Sequence, residues 1–347
     1  MYIINALHTG GAEVGMCRLL NGLSEDKYEI TVVTLIGYEE AFVRQRIPEA
    51  TILDCKQIRS LDDISRLVST IANANVIIGS LYHSVLVARL AGIVNRQATV
   101  ATWQHNERFK TPLRKRIVGT TSLLSDVALA DSEPVAEMLC EELDLPSETV
   151  KTLPIAGISL SEFQARTHHN SDDIVVGSVG VLSGQKNYAT LLTVADELAG
   201  EDITFQIAGD GPKRSELERQ IESLGIDNVE LLGRVDDLPE FLQSIDVYVQ
   251  PSHYEGLCIT VVEAMAAGLP VVASAVGGIN YTVTERKNGF LHDPTDIAGF
   301  CDSIRELAED PSKRERFGKR GRNIVENRYT QDVFVERFER AIHEGVV

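Results

Sequence analysis

The chain has 347 residues, of which 44% are hydrophobic and 24% charged, a composition typical of globular proteins with about two domains. Lys and Arg total 33 against 51 for Asp and Glu, and the net charge of −18 argues against broad binding to nucleic acids. The five cysteines are scattered and odd in number, which argues against a disulfide framework or zinc knuckle and favours a reducing compartment. The start of the sequence has no basic leader. The most apolar stretch of the chain, 76–94, contains His83 and Arg89, so we expect a cytoplasmic protein without a membrane span.

Short β-rich runs alternate with amphipathic helical patterns along the chain. In the first half the predicted strands are 2–7, 29–35, 76–79, 99–103 and 127–130. In the second half they are 174–180, 204–208, 229–232, 247–250 and 270–273. Such alternation is typical of parallel sheets covered by helices on both faces. We therefore predict an α/β protein with two doubly wound, Rossmann-like domains that face a central cleft.

The polar, weakly periodic segment 158–173 is predicted to link the two domains. The first domain is expected over 1–157 and the second over 174–328. A C-terminal helix over 329–347 is expected to pack back against the first domain. Ligands of such sheets bind beyond the carboxyl ends of the strands, so the loops at those ends are the candidate binding loops.

Each predicted domain begins with a glycine-bearing turn after its first strand. In HTGGAE, Gly10 and Gly11 would let the backbone approach a ligand while the next helix presents free N–H groups, although a plain tight turn is the alternative. In VGVLSGQKN, Lys186 stands at a predicted helix start, where the dipole disfavours a cation unless an anion such as phosphate is bound. A solvated surface lysine is the alternative there. Gly209, in AGDGP, is predicted to line a base pocket.

Two carboxylates, Glu255 and Glu263, lie eight positions apart in YEGLCITVVEAMAAGLPVVAS, on a helix predicted over 257–267. Eight helical residues span about 12 Å, beyond the roughly 5–9.5 Å of paired glycosidase carboxylates, so we predict separate roles. Glu255, beside Gly256 and Leu257 at the helix start, would bind polar groups of a substrate. Glu263, on an apolar face, would be satisfied by a ribose diol. A buried acid paired with backbone or arginine is the alternative for Glu263.

These motifs, taken in order over nearly the whole chain, resemble a family-4 retaining glycosyltransferase of the GT-B fold. The most specific is the Glu-x7-Glu pattern followed by AMAAGLPVVASAVGG. GGAE, LPIAGI, the lysine after a glycine-ended strand and AGDGP also follow the family order. The resemblance implies transfer of a sugar from a nucleotide diphosphate sugar to a glycan or lipid-linked acceptor. It implies that the domain 1–157 binds the acceptor and that the domain 174–328 binds the donor. It implies that the anomeric configuration is kept and that neither a metal nor a cofactor is needed.

The resemblance also implies a role for individual residues. Glu263 would hold the ribose hydroxyls of the donor, and Glu255 would contact its sugar. Lys186 would neutralise the leaving diphosphate, with Gly11 against it. His105, in WQHN, would contact the donor sugar near the reacting carbon, although a structural histidine is the alternative. Lys186, Glu255 and His105 are therefore the predicted catalytic residues.

Three positions depart from the family pattern: Val181 where arginine is common, Ala156 where asparagine is usual, and Tyr281 where glutamate is frequent. Val181 and Ala156 motivate a second hypothesis, a catalytically silent nucleotide-sugar-binding partner subunit. A third hypothesis is a GT-B sugar-nucleotide epimerase, against which the context of the Glu-x7-Glu pattern argues.

A local basic segment, ERFKTPLRKRIVG at 107–119, stands out in this acidic chain. It predicts peripheral contact with an anionic membrane, on the inner face of the cell membrane, with about 1 kcal/mol from each basic residue. A solvated basic helix face is the alternative. The residues concerned are the basic Lys110, Arg114, Lys115 and Arg116 and the apolar Phe109 and Leu113.

Overall fold

The computed structural model describes residues 1–165 and 173–344. The chain divides into two compact units, one made of Met1–Gly157 with Gln331–Val347 and the other of Ile158–Thr330. Part of the predicted linker, 166–172, lies outside the described residues. At its start Ile158 forms a β-bridge with Thr330 and so belongs to the second unit.

The described part of the first unit contains a parallel sheet of seven strands in the order β3-β2-β1-β4-β5-β6-β7. Its strands are β1 (Tyr2–Ile4), β2 (Thr31–Thr34), β3 (Thr51–Asp54), β4 (Val76–Ser80), β5 (Thr99–Gln104), β6 (Val127–Ala130) and β7 (Val150–Thr152). The helices between them are α1 (Gly11–Gly22), α2 (Glu40–Arg46), α3 (Leu61–Asn73), α4 (Tyr82–Val94), α5 (Pro112–Thr120) and α6 (Glu133–Leu143). The strand order reverses between β1 and β4, which is where doubly wound sheets bind ligands.

The described part of the second unit contains a parallel sheet of six strands in the order β10-β9-β8-β11-β12-β13. Its strands are β8 (Ile174–Val179), β9 (Ile203–Ala208), β10 (Val229–Gly233), β11 (Val247–Gln250), β12 (Val271–Ser274) and β13 (Gly289–His292). Its helices are α7 (Tyr188–Glu197), α8 (Arg214–Leu224), α9 (Leu238–Ser244), α10 (Ile259–Ala266), α11 (Ile279–Thr282), α12 (Ile297–Glu309) and α13 (Pro311–Arg328). Here the order reverses between β8 and β11.

Both units are therefore doubly wound α/β sheets, and the predicted fold class is confirmed. Three strands, β3, β7 and β13, were not predicted, and all three lie at a sheet edge in the described structure. Edge strands are buried less completely than central ones: β3 and β7 contain no fully buried residue. Such strands lack the continuous apolar run of a buried parallel strand. None of the described helices has the length and apolarity needed to cross a bilayer.

The last helix, α14 (Gln331–Glu344), belongs to the first unit. The Gln331 side-chain amide donates a hydrogen bond to the Arg18 carbonyl of α1 at 2.8 Å. Phe334 and Phe338 are almost fully buried. The Phe334 ring meets the ring of Trp103 edge-on, with 5.9 Å between centroids. Helix α14 thus closes the apolar core of a unit whose other elements come from the first half of the chain.

Candidate active site

A buried ion pair lies at the carboxyl edge of the second sheet. Lys186, in the loop after β8, places its Nζ 2.7 Å from Oε1 of Glu255, in the loop after β11. The two side chains are only 15% and 7% exposed. Lys186 lies before α7 rather than at its first turn, because Asn187 adopts a left-handed φ of +54° and delays the helix to Tyr188. The predicted helix start at Lys186 is therefore two residues too early.

The loops that carry this pair are tied together by the Asn187 side chain. Its Nδ2 donates hydrogen bonds to the Pro251 and Pro294 carbonyls at 3.0 and 3.1 Å. In addition, the His253 N–H donates to the Gln185 carbonyl at 2.8 Å. Lys186 is therefore held against the loop after β11 by its neighbours on both sides, and its approach to Glu255 does not depend on the ion pair alone.

The Glu255 carboxylate is oriented by a chain of hydrogen bonds from β11. The Tyr248 hydroxyl donates to Oε1 of Gln250 at 3.0 Å, and Nε2 of Gln250 donates to the Ser252 hydroxyl at 2.9 Å. Ser252 in turn donates to Oε1 of Glu255 at 2.7 Å. Oε1 of Glu255 thus accepts from both Ser252 and Lys186. Oε2 makes a weaker contact, with Gln185 at 3.4 Å, so Oε2 is the more available acceptor.

Electrostatics keep Lys186 charged in spite of its burial. Burial by itself would lower the pKa of Lys186, but Cys258 and Glu255 hold that pKa well above its ordinary value. The Cys258 thiol, 4.0 Å from the Lys186 Nζ, has its own pKa raised to about 12, by burial first and by Glu255 second. Near pH 7 the Cys258 thiol is therefore neutral, and the negative charge that faces Lys186 is that of Glu255. Cys258 adds its own charge only in the alkaline range where Lys186 itself loses its proton.

The loop from Glu255 to Cys258 presents backbone donors at the start of α10. Cys258 has a φ of +64°, so α10 begins at Ile259 and not at the predicted Leu257. The N–H groups of Gly256 and Leu257 are buried and donate to no other group in the described part of the chain. Buried N–H groups without a partner are rare in proteins, so this pair indicates a ligand acceptor.

A glycine turn fixes the shape of that loop. Gly277 has a φ of +49°, and a side chain there would place its Cβ 1.9 Å from the Glu255 carbonyl oxygen. The N–H of the next residue, Gly278, donates to the Gly256 carbonyl at 2.6 Å. Farther along α10, Glu263 is 3% exposed among residues that are also buried. Glu255 and Glu263 therefore differ in setting, one in a hydrogen-bonded loop and one inside an apolar helix.

Gly209 is required by the packing of two loops. Its φ is +141°, and a Cβ at this position would lie 1.9 Å from the Gly180 carbonyl oxygen. Its N–H donates to the Gly233 carbonyl at 2.6 Å and is thus already used within the protein. Gly209 brings the loops after β8 and β9 together and so shapes the surroundings of Lys186, whose Cε lies 3.0 Å from the Cβ position of Gly180.

The three departures from the family pattern have different surroundings. The side chain of Val181 is 52% exposed in the loop after β8. Tyr281, in α11, is 43% exposed. Ala156 is fully buried in the first unit, where its carbonyl accepts a hydrogen bond from Arg18 at 3.1 Å. Val181 and Tyr281 can therefore be replaced by larger residues without overpacking a core, whereas Ala156 cannot.

The family resemblance implies that the loop after β8 faces a diphosphate. Replacing Val181 with arginine is therefore expected to tighten binding of a nucleoside diphosphate about tenfold, by adding one charge-assisted hydrogen bond. The exposed position gives the longer side chain room. Isothermal titration calorimetry with a panel of nucleoside diphosphates measures the effect, and Val181→Leu is the matched control because it adds bulk without charge. An arginine variant that binds them no better than the leucine variant would place position 181 away from the diphosphate.

In the first unit, Glu13 covers the predicted glycine turn. Gly10 caps α1, Gly11 is its first residue, and a Cβ on Gly10 would lie 2.4 Å from Oε2 of Glu13. Glu13 is 5% exposed, and its Oε1 lies 3.9 Å from Nε2 of His8. Burial raises the pKa of Glu13, while its own N–H, His8 and His105 oppose that rise. The start of α1 therefore already faces a carboxylate of the protein, which competes with a bound anion.

His105 lies just after β5 with both ring nitrogens partnered. Its Nδ1 lies 2.8 Å from Oδ2 of Asp131, and its Nε2 lies 2.6 Å from the hydroxyl of Ser80. The Trp103 indole donates to the other oxygen of Asp131 at 2.7 Å and stacks on the His105 ring. A donor sugar could therefore reach a ring nitrogen only by displacing Ser80 or Asp131. This geometry fits the structural histidine that the sequence analysis kept as the alternative.

Several residues of these sites were not singled out from the sequence. They are Ser80, Asp131, Gln185 and Ser252. Ser80 ends β4 and Asp131 directly follows β6, so polar residues at carboxyl strand ends are the signal that could have identified these two. Among residues 1–165 and 173–344, no cluster of three or more His, Cys, Asp or Glu side chains is arranged to hold a metal ion.

Comparison with known families covers both units. Residues 9–156 match the family model described as Glycosyltransferase Family 4, and residues 161–324 match the model described as Glycosyl transferases group 1. The chain belongs to the family-4 glycosyltransferases. The GT-B fold of that family is confirmed by a solved structure of Anabaena Alr3699/HepE in complex with UDP and glucose. This family-4 chain matches it with a TM-score of 0.86 and 19% identity over 99% of its own length and 98% of the other.

Two curated relatives of this family-4 chain illustrate how far sequence similarity extends. The lipopolysaccharide core biosynthesis glycosyltransferase LpsE of Rhizobium meliloti (strain 1021) is 28% identical over 176 residues, which are 50% of this chain and 51% of the relative. An uncharacterized glycosyltransferase of Haemophilus influenzae is 26% identical over 94% of each chain. The chain spans about half or less of the length of the first curated relatives it matches.

Proposed function

We propose that the protein transfers a sugar from a uridine diphosphate sugar to a glycan or lipid-linked acceptor, with retention of the anomeric configuration and without a metal ion. The observation that carries the proposal is the buried Lys186–Glu255 pair, which lies beside the unpartnered N–H groups of Gly256 and Leu257. A diphosphate is the ligand that fits these groups, because it accepts hydrogen bonds from both kinds of donor. The UDP bound to the Anabaena structure and the name of the Rhizobium relative support the donor and the acceptor class.

Lys186 would stabilise the leaving group. A lysine ammonium has three N–H donors, and Glu255 uses one of them. The remaining donors would face the diphosphate oxygens, whose charge grows as the bond to the sugar breaks. Glu255, through its more available Oε2, would accept hydrogen bonds from hydroxyls of the donor sugar. Glu263 would hold the ribose, as the family resemblance implies.

The proposal is tested by incubating the protein with a panel of nucleotide sugars and acceptors and determining the product configuration by NMR. A product with the anomeric configuration of the donor supports it, and an inverted product contradicts it. Val181 gives a specific reason to keep the silent subunit as the second candidate, since no side-chain cation other than Lys186 stands in its loop. UDP-sugar binding without transfer to any acceptor would favour that candidate over an enzyme.

Transfer is expected to keep its full rate in the presence of excess EDTA. In the proposed chemistry Lys186 and backbone N–H groups act at the diphosphate in place of a divalent ion, so transfer does not depend on a bound metal. Initial rates with and without EDTA, each followed by added Mn²⁺, measure this. A rate that falls with EDTA and returns with Mn²⁺ would contradict metal-independent transfer.

The basic segment 107–119 is proposed to contact anionic membranes through fewer residues than its sequence indicates. Lys115 pairs with Glu142 at 2.7 Å, and Arg114 lies over the Tyr82 ring at 4.6 Å. Phe109 is partly buried against the core beside α6, which leaves less of its ring exposed for contact with a membrane. Of the four basic residues in the prediction, Lys110 and Arg116 are exposed, with Leu113 between them at 66% exposure.

Flotation with vesicles is therefore expected to recover more protein on anionic than on neutral lipids. The double variant Lys110→Gln, Arg116→Gln should lose about 2 kcal/mol of binding, at about 1 kcal/mol for each basic residue near the surface. Neutral vesicles serve as the control. Equal recovery on both lipids would favour the solvated helix face.

A further inference from the structure

One layer of helices in the first unit carries most of the large apolar side chains that the described residues leave exposed. This α3–α5 layer consists of α3, α4, α5 and the short turn Ser122–Leu124, which are neighbours in space. Its connections all run toward β7, and right-handed crossovers place them on one face of the sheet. Nine of the thirteen exposed large apolar side chains among the described residues belong to this layer. Apolar surface concentrated in this way marks an interaction site.

The apolar stripe of α3 is wider than the core that it covers. Leu67 and Ile71 pack against the core of the first unit. Leu61, Ile64 and Val68 continue the stripe at helical spacing, but all three side chains are exposed. None of the thirteen residues of α3 is fully buried. Half of the apolar stripe of this helix therefore faces away from the core.

Helix α4 is apolar on its outward side as well as on its inward side. Leu90, Ile93 and Val94 are exposed on it. Arg89 is the one Asp, Glu, Lys or Arg residue of this helix, and it is buried, with its Nε donating to the Ser125 hydroxyl at 2.8 Å. The outward side of α4 therefore carries no lysine, arginine or carboxylate. A helix that is apolar all round is normally covered on all sides, so α4 indicates a partner that covers it.

The charge of this part of the chain is opposite to that of the whole protein. Residues 61–124 contain eight Lys and Arg against three Asp and Glu, a net charge of +5. The rest of the chain contains 25 Lys and Arg against 48 Asp and Glu, a net charge of −23. Arg66, Arg96 and Arg116 are exposed and lie within three residues of exposed apolar side chains in the sequence. Two copies of the layer would repel each other, whereas an anionic surface would attract it.

We infer that the α3–α5 layer is a docking surface for an anionic lipid bilayer, with the exposed apolar side chains of α3 and α4 inserted at the interface and Arg66 and Arg96 at the lipid phosphates. The inference rests on the lipid contact proposed above for 107–119 and adds two helices to it. A bilayer offers acyl chains and phosphates over an extended area, which matches apolar and basic side chains interleaved over several helices. The same bilayer repels the rest of the chain, at −23, so this face is the one that docks.

The test is flotation of the full chain with vesicles of phosphatidylcholine that also contain phosphatidylglycerol. Leu90→Gln combined with Ile93→Gln should lower the partition coefficient about tenfold for each side chain, because inserting a leucine or isoleucine buries its apolar surface. Both side chains are exposed, so thermal unfolding of the double variant should match that of wild type. Leu224→Gln, at an exposed position on α8 in the second unit, is the matched control and should leave the partition coefficient unchanged. Hydrogen exchange on the vesicles should slow in peptides from α3 and α4 but not in those from α8.

Partitioning that falls in the Leu90/Ile93 double variant but not in Leu224→Gln supports the inference. Partitioning that falls only in the Lys110/Arg116 double variant would overturn it and leave the contact of segment 107–119 in place. Wild type that binds no vesicle would also overturn it, and sedimentation velocity then identifies the occupant: a dimer that the Leu90/Ile93 variant dissociates indicates a second copy, and a monomer indicates an acidic protein. The rate of sugar transfer to a soluble acceptor, measured without vesicles, reports on the proposed activity separately from docking.

Discussion

Replacing Lys186 with alanine is expected to lower the rate of sugar transfer about 10²–10³-fold, by analogy with the loss of one oxyanion donor. Lys186 is the proposed side-chain cation at the diphosphate, and the half-exposed Val181 supplies no second one. Because charge on the leaving group grows in the transition state, turnover should fall more than ground-state affinity for the donor. Initial-rate kinetics at saturating donor sugar measure the effect.

The Lys186 variant needs controls because it also leaves Glu255 buried without its partner. Breaking a buried ion pair from one side costs about 3–5 kcal/mol of stability, so a loss of rate could reflect unfolding. The double variant Lys186→Ala, Glu255→Gln removes both charges and should recover stability in thermal unfolding without recovering the rate. Lys319→Ala, at an exposed pair on α13, is the matched surface control. Near-normal turnover in Lys186→Ala would show that the buried pair is structural and that Lys186 has no catalytic role.

Replacing Glu255 and replacing Glu263 with glutamine are expected to have different effects on UDP affinity and turnover. Glu263→Gln should weaken binding of UDP about 10–100-fold, since it loses a charge-assisted hydrogen bond to ribose of about 1.5–3 kcal/mol. Glu255→Gln should leave UDP affinity nearly unchanged and lower turnover, because its proposed partner is the sugar. The contact between Glu255 and Lys186 gives a second reason for this difference. Without the Glu255 carboxylate, the Lys186 ammonium can still bind the diphosphate, but it loses the group that positions it for turnover.

Calorimetric titration of both glutamine variants with UDP, followed by rate measurements with the full donor, distinguishes these outcomes. Glu230→Gln, on the exposed face of the edge strand β10, controls for the loss of one negative charge. Equal losses of UDP affinity in Glu255→Gln and Glu263→Gln would show that the two carboxylates share one role and would contradict the division proposed for them.

The sequence predicts the strands that lie in the middle of the sheets, because burial on both faces gives them a continuous apolar run. It also draws attention to Lys186 and Glu255, since glycines and a charged residue next to a strand end are local features. It does not predict that they pair. They stand 69 positions apart, and their contact depends on the strand order that places the loops after β8 and β11 side by side.

The details that sequence reasoning missed are backbone conformations and long-range partners. Asn187 and Cys258 adopt left-handed φ values, which moves both helix starts in the site, and neither position has the glycine that most often signals such a conformation. The partners of His105 come from two neighbouring strands, so nothing near WQHN in the sequence indicates that its ring nitrogens are occupied. Glu13 is part of the motif HTGGAE, but the motif does not indicate that its carboxylate lies over Gly10, because that position depends on the first turn of α1.

The return of the chain to its first unit determines the order in which the protein can fold during synthesis. Helix α14 places Phe334 and Phe338 in the core of a unit whose other elements end at Gly157. A ribosome therefore completes the whole of Ile158–Thr330 before it delivers the helix that the first unit lacks. Until then the apolar surface beside α1 and Trp103 stays uncovered, and nascent chains with such surfaces are prone to aggregate. The last step of folding is thus a contact between residues more than 300 positions apart, the kind that forms slowly.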